Sequence, residues 1–202
     1  MRRGFSLLEV LVALALLGLL AAALLTFTQG VLAANQAARA QAELNETLKD
    51  AVGYLADTLQ GASDLKASET LLVNQNSCST PSCLVAVFPG SPDCPVRAYR
   101  LVDRTALPPG FKDPDPWADR NTRVLLAYRG TAACTASEFT LDGPYLVLDR
   151  VDVYTTPPFF SLATSPLRVS VALRLKTQAA GRTVYAPRSG TYSFTVYPRN
   201  AP

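Results

Sequence analysis

The 202-residue chain contains no histidine, and its one methionine is Met1. Without imidazole, Ser-His-Asp and Cys-His catalytic sets are excluded, as are histidine-ligated metal sites. Proline is missing until Pro81, and no charged side chain occurs from Val10 to Ala38. Within that stretch, Val10–Leu25 is a run of sixteen residues without one polar side chain. A helix of that composition belongs in lipid or among other helices. Cys78, Cys83, Cys94 and Cys134 include no Cys-x-x-Cys pair, which argues against tetrathiolate zinc with its usual ligand spacing. Nineteen basic residues against sixteen acidic ones give a net charge of +3, no electrostatic case for binding nucleic acid. No internal repeat or low-complexity tract is present.

What is present begins with Gly4-Phe5-Ser6-Leu7-Leu8-Glu9, directly after Arg2 and Arg3 and directly before the apolar run. A carboxylate at the edge of such a run is costly, about 2.5–3.5 kcal/mol at a bilayer centre on insertion scales, and so calls for a function. The hexapeptide, the short basic leader ending in glycine and the apolar stretch resemble the processing and assembly signal of type IV pilins and of the pilin-like proteins of related secretion machines. The resemblance implies that a prepilin peptidase cuts between Gly4 and Phe5 and methylates the new amino group of Phe5. It implies two roles for Glu9, promoting methylation and pairing with the amine of a neighbouring subunit. Burial of a carboxylate and an ammonium is tolerable only as a pair, which agrees with the second role. Many major pilins carry a proline in this segment; here Gly18 is a helix-weakening site instead.

Two other readings fit the same segment. A cleaved secretory signal would use small residues such as Ala21-Ala22-Ala23, although Glu9 sits badly in its core. An uncleaved signal anchor is the other. Arg2 and Arg3 put the N-terminus in the cytoplasm in the pilin and anchor readings, and all three deliver the bulk of the chain outside.

The fold expected is α+β and pilin-like: a long N-terminal helix, half transmembrane and half amphipathic, packed on an antiparallel sheet. The expected divisions are a leader at 1–4, a transmembrane and assembly helix at 5–30, its amphipathic continuation at 31–61 and an extracytoplasmic β-rich domain at 62–202. From Arg39 the pattern turns amphipathic, with Leu44, Leu48, Val52, Leu55 and Leu59 recurring every three or four residues. This stripe is expected to pack on the domain's own sheet. A helix from Phe5 to Gln60 would be about 84 Å long, several times the ~30 Å hydrocarbon core. After Gly61 the period shortens, and strands are expected at Thr70–Val73, Leu84–Phe88, Ala98–Val102, Arg123–Tyr128, Tyr145–Tyr154, Leu167–Leu175 and Thr191–Tyr197. Gln178–Gly181 should turn Leu167–Leu175 into a short Thr183–Ala186 strand.

The even cysteine count in an oxidising compartment points to two disulfides, with three connectivities open. The preferred pairing is Cys78 with Cys83, closing a tight loop around Pro81, and Cys94 with Cys134, which would remove more unfolded-state entropy. Pro89 to Arg97 and Leu107 to Thr122 hold seven of the fifteen prolines and read as loops. In the second, Asp113, Asp115 and Asp119 are weak calcium candidates, lacking the Gly and bidentate Glu of a calcium loop; a solvated, proline-stiffened loop is the preferred reading. Trp117 is read as a loop anchor packed on the sheet.

The segments Tyr145–Tyr154, Leu167–Leu175 and Phe194–Asn200 look similar to the larger J-type pseudopilins of type II secretion and the W-type minor pilins of type IV pili. That similarity implies a scarce structural subunit that primes or caps a filament, without enzymatic activity or cofactor. Its partners would be other minor pilins or pseudopilins, the major pilin, prepilin peptidase, the inner-membrane assembly platform and lipid. The location implied is a single-pass inner-membrane protein with a periplasmic domain, later part of a filament. The presence of Glu9 argues against the terminal K-type cap. The alternative function is a DNA- or surface-binding tip subunit in competence, with Arg97, Arg100, Arg104, Arg120, Arg123 and Arg129 as phosphate contacts. Asp103, Asp113, Asp115 and Asp119 are interleaved with them, which favours a mixed-charge solvated surface. An anchored enzyme has no recognisable catalytic set.

Overall fold

A computed structural model describes residues 7–107, 109–153 and 156–200. Helix α1, Leu7–Gln60, is a single helix of 54 residues, about 81 Å long at 1.5 Å per residue. The hydroxyls of its N-terminal half are satisfied internally. Thr26 Oγ1 donates to the Ala23 carbonyl and Thr28 Oγ1 to the Leu25 carbonyl, each at 2.9 Å. No polar group of these side chains therefore needs an outside partner.

The chain continues through β1 (Asp64–Lys66), β2 (Ser68–Val73), β3 (Asn76–Cys78), β4 (Cys83–Val87) and β5 (Asp93–Asp103). Two 3-10 turns, Arg104–Ala106 and Pro109–Phe111, lead to the short helix α2 (Pro116–Asn121). Then come β6 (Thr122–Ala133), β7 (Glu138–Phe139), β8 (Asp142–Asp152), β9 (Phe160–Thr164), β10 (Leu167–Leu173), β11 (Leu175–Ala179), β12 (Arg182–Ala186) and β13 (Tyr192–Val196). The main sheet has the order β1-β4-β5-β6-β8-β11-β12; two small sheets have the orders β13-β10-β9 and β3-β2-β7. Pairing is antiparallel throughout except between β2 and β7.

The C-terminal half of α1 lies across β8, β11 and β12 and touches β13. Leu44, Leu48, Ala51, Leu55 and Leu59 are buried there, with Val52 half-buried at the flank. They meet Leu84, Tyr99, Leu125, Leu148, Val171 and Leu173 in the main core. The opposite face of β4 and β5 has a core of its own, built from Val85, Val87, Val96, Ala98, Phe139 and Leu141 around the cysteines. Covered on both faces, β4 is buried at every position, as its unbroken apolar run requires. At the end of α1 the C-terminal segment returns. The Arg199 N–H donates to the Gln60 carbonyl and Asn200 Nδ2 to the Gly61 carbonyl, both at 2.9 Å, satisfying carbonyls that the helix end leaves free.

Three expectations are corrected. Leu167–Leu175 is not one strand: it breaks at Arg174, so that β10 pairs with β9 and β13 while β11 pairs with β8 and β12. The alternation survives the break because Val169, Val171, Leu173 and Leu175 all enter the same core. At the junction the Asp152 N–H donates to the Arg174 carbonyl at 2.7 Å, and the Arg174 guanidinium lies 4.1 Å from the Tyr185 ring centre. Second, β5 starts at Asp93, inside the expected loop Pro89–Arg97. Pro95 is accommodated because it lies opposite Phe88, just beyond the last residue of β4, where its carbonyl accepts from the Phe88 N–H at 2.9 Å and only the reciprocal bond at the ladder end is missing. Third, the expected loop Leu107–Thr122 contains α2. Its sequence signals are Asp115 as N-cap and Pro116 in the first turn. Smaller shifts follow the ladders: β8 begins at Asp142 and ends at Asp152, and Tyr154 lies outside the described residues. The β11–β12 turn is Ala180-Gly181, both at positive φ (50° and 73°), which suits a two-residue hairpin.

Candidate functional site

The N-terminal half of α1 differs from the rest in what covers it. From Leu7 to Leu32 its large apolar side chains are exposed, with Leu7 at 82% and Phe27 at 69%. Contact with the domain begins only near Ala37, which packs against the main core, and Gln41, whose Nε2 donates to the Tyr185 carbonyl at 2.5 Å. The uncharged stretch ends at Ala38. Sequence and packing therefore change character at the same place. Val10–Ala38 has 29 residues, roughly 43 Å as a helix, more than the ~30 Å hydrocarbon core. A helix apolar on all sides and bare of its own chain must be covered by lipid or by other helices. It is the one helix among the described residues long and apolar enough to cross a membrane.

Glu9 occupies the first turn of α1, where the helix dipole favours negative charge. Its neighbours Leu8 and Val10 are exposed. Gly4 and Phe5, the residues of the expected cut, lie outside the described residues. Gly18 and Gly30 have open space where a Cβ would stand, so nothing in this chain requires glycine at either position.

The remaining candidate residues lie in the β domain. Cys78 is joined to Cys83 and Cys94 to Cys134, and all four contribute to the small core below β4 and β5. The calcium candidates are engaged otherwise. Asp115 Oδ1 accepts from the N–H groups of Trp117 and Ala118 at 3.1 and 3.0 Å, while its Oδ2 stands 3.0 Å from Arg150 Nη1. Asp119 Oδ1 meets Arg104 Nη1 at 2.6 Å and Lys112 Nζ at 2.9 Å. Asp113 offers its backbone carbonyl to Arg104 Nη2 at 3.1 Å. No cluster of three or more His, Cys, Asp or Glu suited to a metal forms among the described residues. Trp117 is half-buried on α2.

The arginines do not form one basic face. Arg104 is wholly buried, so it is corrected from phosphate contact to structural cation; Arg123 pairs with Asp103 at 3.2 Å, and Arg120 Nε donates to the Pro116 carbonyl. Arg97 and Arg129 line a common cleft. Sequence patterning missed the Arg104 cluster, because nothing in the local pattern distinguishes a buried arginine from a solvated one. Burial works against the Arg104 charge, but hydrogen bonds and charge from Asp149 and Asp119 outweigh it and hold the guanidinium above its usual value. The Lys112 hydrogen bond, followed by that of Arg104, holds the Asp119 carboxyl below the usual range. For Asp115 burial acts upward, yet the Ala118 N–H and Arg150 prevail and its value is lowered.

Residues 1–25 match the family model described as the prokaryotic N-terminal methylation motif. No curated protein and no solved structure matches the chain. The matched stretch takes in the hexapeptide, Glu9 and the apolar run to Leu25, and stops short of the β domain. This protein carries the type IV prepilin-like signal, on a long helix packed against an antiparallel β domain.

Proposed function

We propose that this chain is a minor pilin or pseudopilin, a structural subunit that primes or caps a type IV pilus or a type II secretion-like filament. The observation that carries the reading is one continuous helix. Its exposed, largely apolar half bears the methylation motif, and its other half is the spine of a β domain. In this reading residues 5–30 are held first by the inner membrane and then by the helices of other pilins. Residues 31–61 carry the domain, and residues 62–202 lie outside the cytoplasm. Prepilin peptidase cuts between Gly4 and Phe5 and methylates Phe5; Glu9 pairs with the Phe5 amine of a neighbour. The partners are other minor pilins or pseudopilins, the major pilin and the inner-membrane assembly platform. The activity is assembly, with no cofactor and no bond-making step of its own.

N-terminal mass spectrometry of the protein expressed beside a prepilin peptidase tests this. The expected product begins at N-methyl-Phe5, and Gly4→Val should block its formation. An intact Met1, or a cut near Ala23, would overturn the reading in favour of a signal anchor or a secretory signal.

A further inference from the structure

Arg97 on β5 and Arg129 on β6 are direct cross-strand partners. Like charges placed opposite one another destabilise a sheet, and an ordinary surface would interleave carboxylates. Here, among the described residues, neither guanidinium forms an ion pair. Arg97 Nη1 reaches Thr58 Oγ1 at 3.4 Å and its guanidinium lies 5.6 Å from the Phe88 ring centre. The Arg129 guanidinium lies 4.3 Å from the Tyr145 ring centre. Asp142 on β8 is the cross-strand partner of Arg129 on its other side, and Asp50 and Asp57 are on α1, one turn to either side of Tyr54. Among the described residues none of these carboxylates comes within ion-pair distance of the two arginines.

The two arginines line a cleft of about 410 Å³ between α1 and the face of β5, β6 and β8. Tyr54 on α1 and Tyr145 on β8 line it too, at 41% and 40% exposure. Tyr54 is fixed by edge-on packing against the buried Tyr99 ring, with centroids 6.4 Å apart. The volume is within the range of small-ligand sites. Paired cations seek an oxyanion, and the half-exposed Tyr54 ring, with the face of Tyr145 that Arg129 does not cover, offers surfaces for a flat ring. We propose that this cleft binds a nucleotide unit, its phosphate between Arg97 and Arg129 and its base against Tyr54 and Tyr145. Stacking on aromatic rings beside a cationic groove is a sequence-tolerant way of holding single-stranded nucleic acid. A free nucleotide presents the same chemistry. The proposal does not depend on the assembly reading.

The test uses the full chain in nanodiscs of zwitterionic lipid, with fluorescence anisotropy of labelled single-stranded 12-mers. Saturable binding is expected. Arg97→Gln with Arg129→Gln should weaken it at least tenfold and reduce the salt slope by about 0.7 for each phosphate no longer neutralised. Tyr145→Leu should weaken it about fivefold or more, the low end for one stacked base. Arg168→Gln, an exposed arginine on β10, should leave binding unchanged. Displacement by a mononucleotide at low concentration would identify the free nucleotide as the ligand; displacement only by longer strands would identify the strand. Arg129 is exposed, so Arg129→Gln alone keeps the test valid if the double variant misfolds. The proposal is overturned by absence of saturable binding. It is also overturned by equal loss in Arg168→Gln, or by an acidic peptide of equal charge competing as well as the oligonucleotide.

Discussion

The guanidinium of Arg104 meets the carboxylate of Asp149 side-on, with Nε 2.9 Å from Oδ1 and Nη2 3.1 Å from Oδ2. Asp149 belongs to β8 and Arg104 to the turn after β5, so the pair ties the loop that carries α2 to the sheet. Asp119 Oδ1 accepts from the remaining nitrogen, Nη1, and the Asp113 carbonyl accepts a second hydrogen bond from Nη2. A cation with no solvent exposure depends on these partners, because it has no water to fall back on.

Asp149→Ala is therefore expected to cost about 3 kcal/mol, the low end for removing one partner of a buried pair, since Asp119 still faces the charge. Trp117, the one tryptophan, reports on this loop. Urea titration of the full chain in micelles, followed by its fluorescence, measures the loss. Arg104→Lys should not rescue the site, because an ammonium cannot reproduce the fork. A change below about 1 kcal/mol, the scale of an exposed ion pair, would mean that the cluster is incidental to stability.

The same cluster sets an acid limit. Asp119 and Asp115 are held below their unfolded value, near 3.9 for aspartate. Their contribution is complete above that value and is lost as pH falls through the lower folded-state values. Stability should be flat from neutrality to about pH 5 and decline below about pH 4. Asp115→Asn, which keeps a cap oxygen but removes the charge facing Arg150, should flatten that decline. Unfolding midpoints measured from neutrality down to about pH 2 decide it.

The disulfides differ in the chain they close. Cys94–Cys134 spans a separation of 40 residues and Cys78–Cys83 one of 5. The chain-entropy relation gives about 4 kcal/mol for the first and about 2 kcal/mol for the second. Paired serine variants, compared by urea midpoint with the intact chain, should follow that order. A larger loss from Cys78→Ser with Cys83→Ser would mean that the packing of these cysteines below β4 outweighs loop closure.

Periodicity is what the sequence makes legible. Leu44, Leu48, Leu55 and Leu59 recur at helical spacing and are buried, and alternation locates most of the longer strands. Strand partners are not legible. Leu167–Leu175 alternates without interruption, yet changes sheets at Arg174, because alternation records which face is apolar and not which strand lies alongside. The strands β1, β3 and β7, of three residues or fewer, are too short to show a period. Proline misleads in one place, since what Pro95 costs depends on whether a neighbouring strand still runs past it. Asp115-Pro116 is a readable helix start, masked by the surrounding prolines, which signal a loop. The Arg104 cluster joins residues 45 positions apart, a distance at which one sequence offers no pattern. The N-terminal signal is the clearest, because its residues act in their sequence order rather than through the fold.

Glu9 is the one acidic side chain in the first turn of α1. In the assembly reading its carboxylate enters an apolar bundle, where pairing with the Phe5 amine of a neighbour offsets much of the desolvation. Glu9→Gln keeps the shape and removes the charge, so the neighbour's amine would be buried without a counter-charge. Insertion should survive, because the span becomes more apolar. Co-purification with partner pilins from membranes should fall sharply, while the β domain should unfold at the same urea concentration as before, since Glu9 lies far along α1 from the first buried residue, Leu44. Comparing the inserted, cleaved and co-assembled fractions separates these steps. Normal co-assembly of an inserted and cleaved variant would show that Glu9 is not the docking residue. The subunit would then belong at the outermost position of the filament, where no earlier subunit's amine needs a partner.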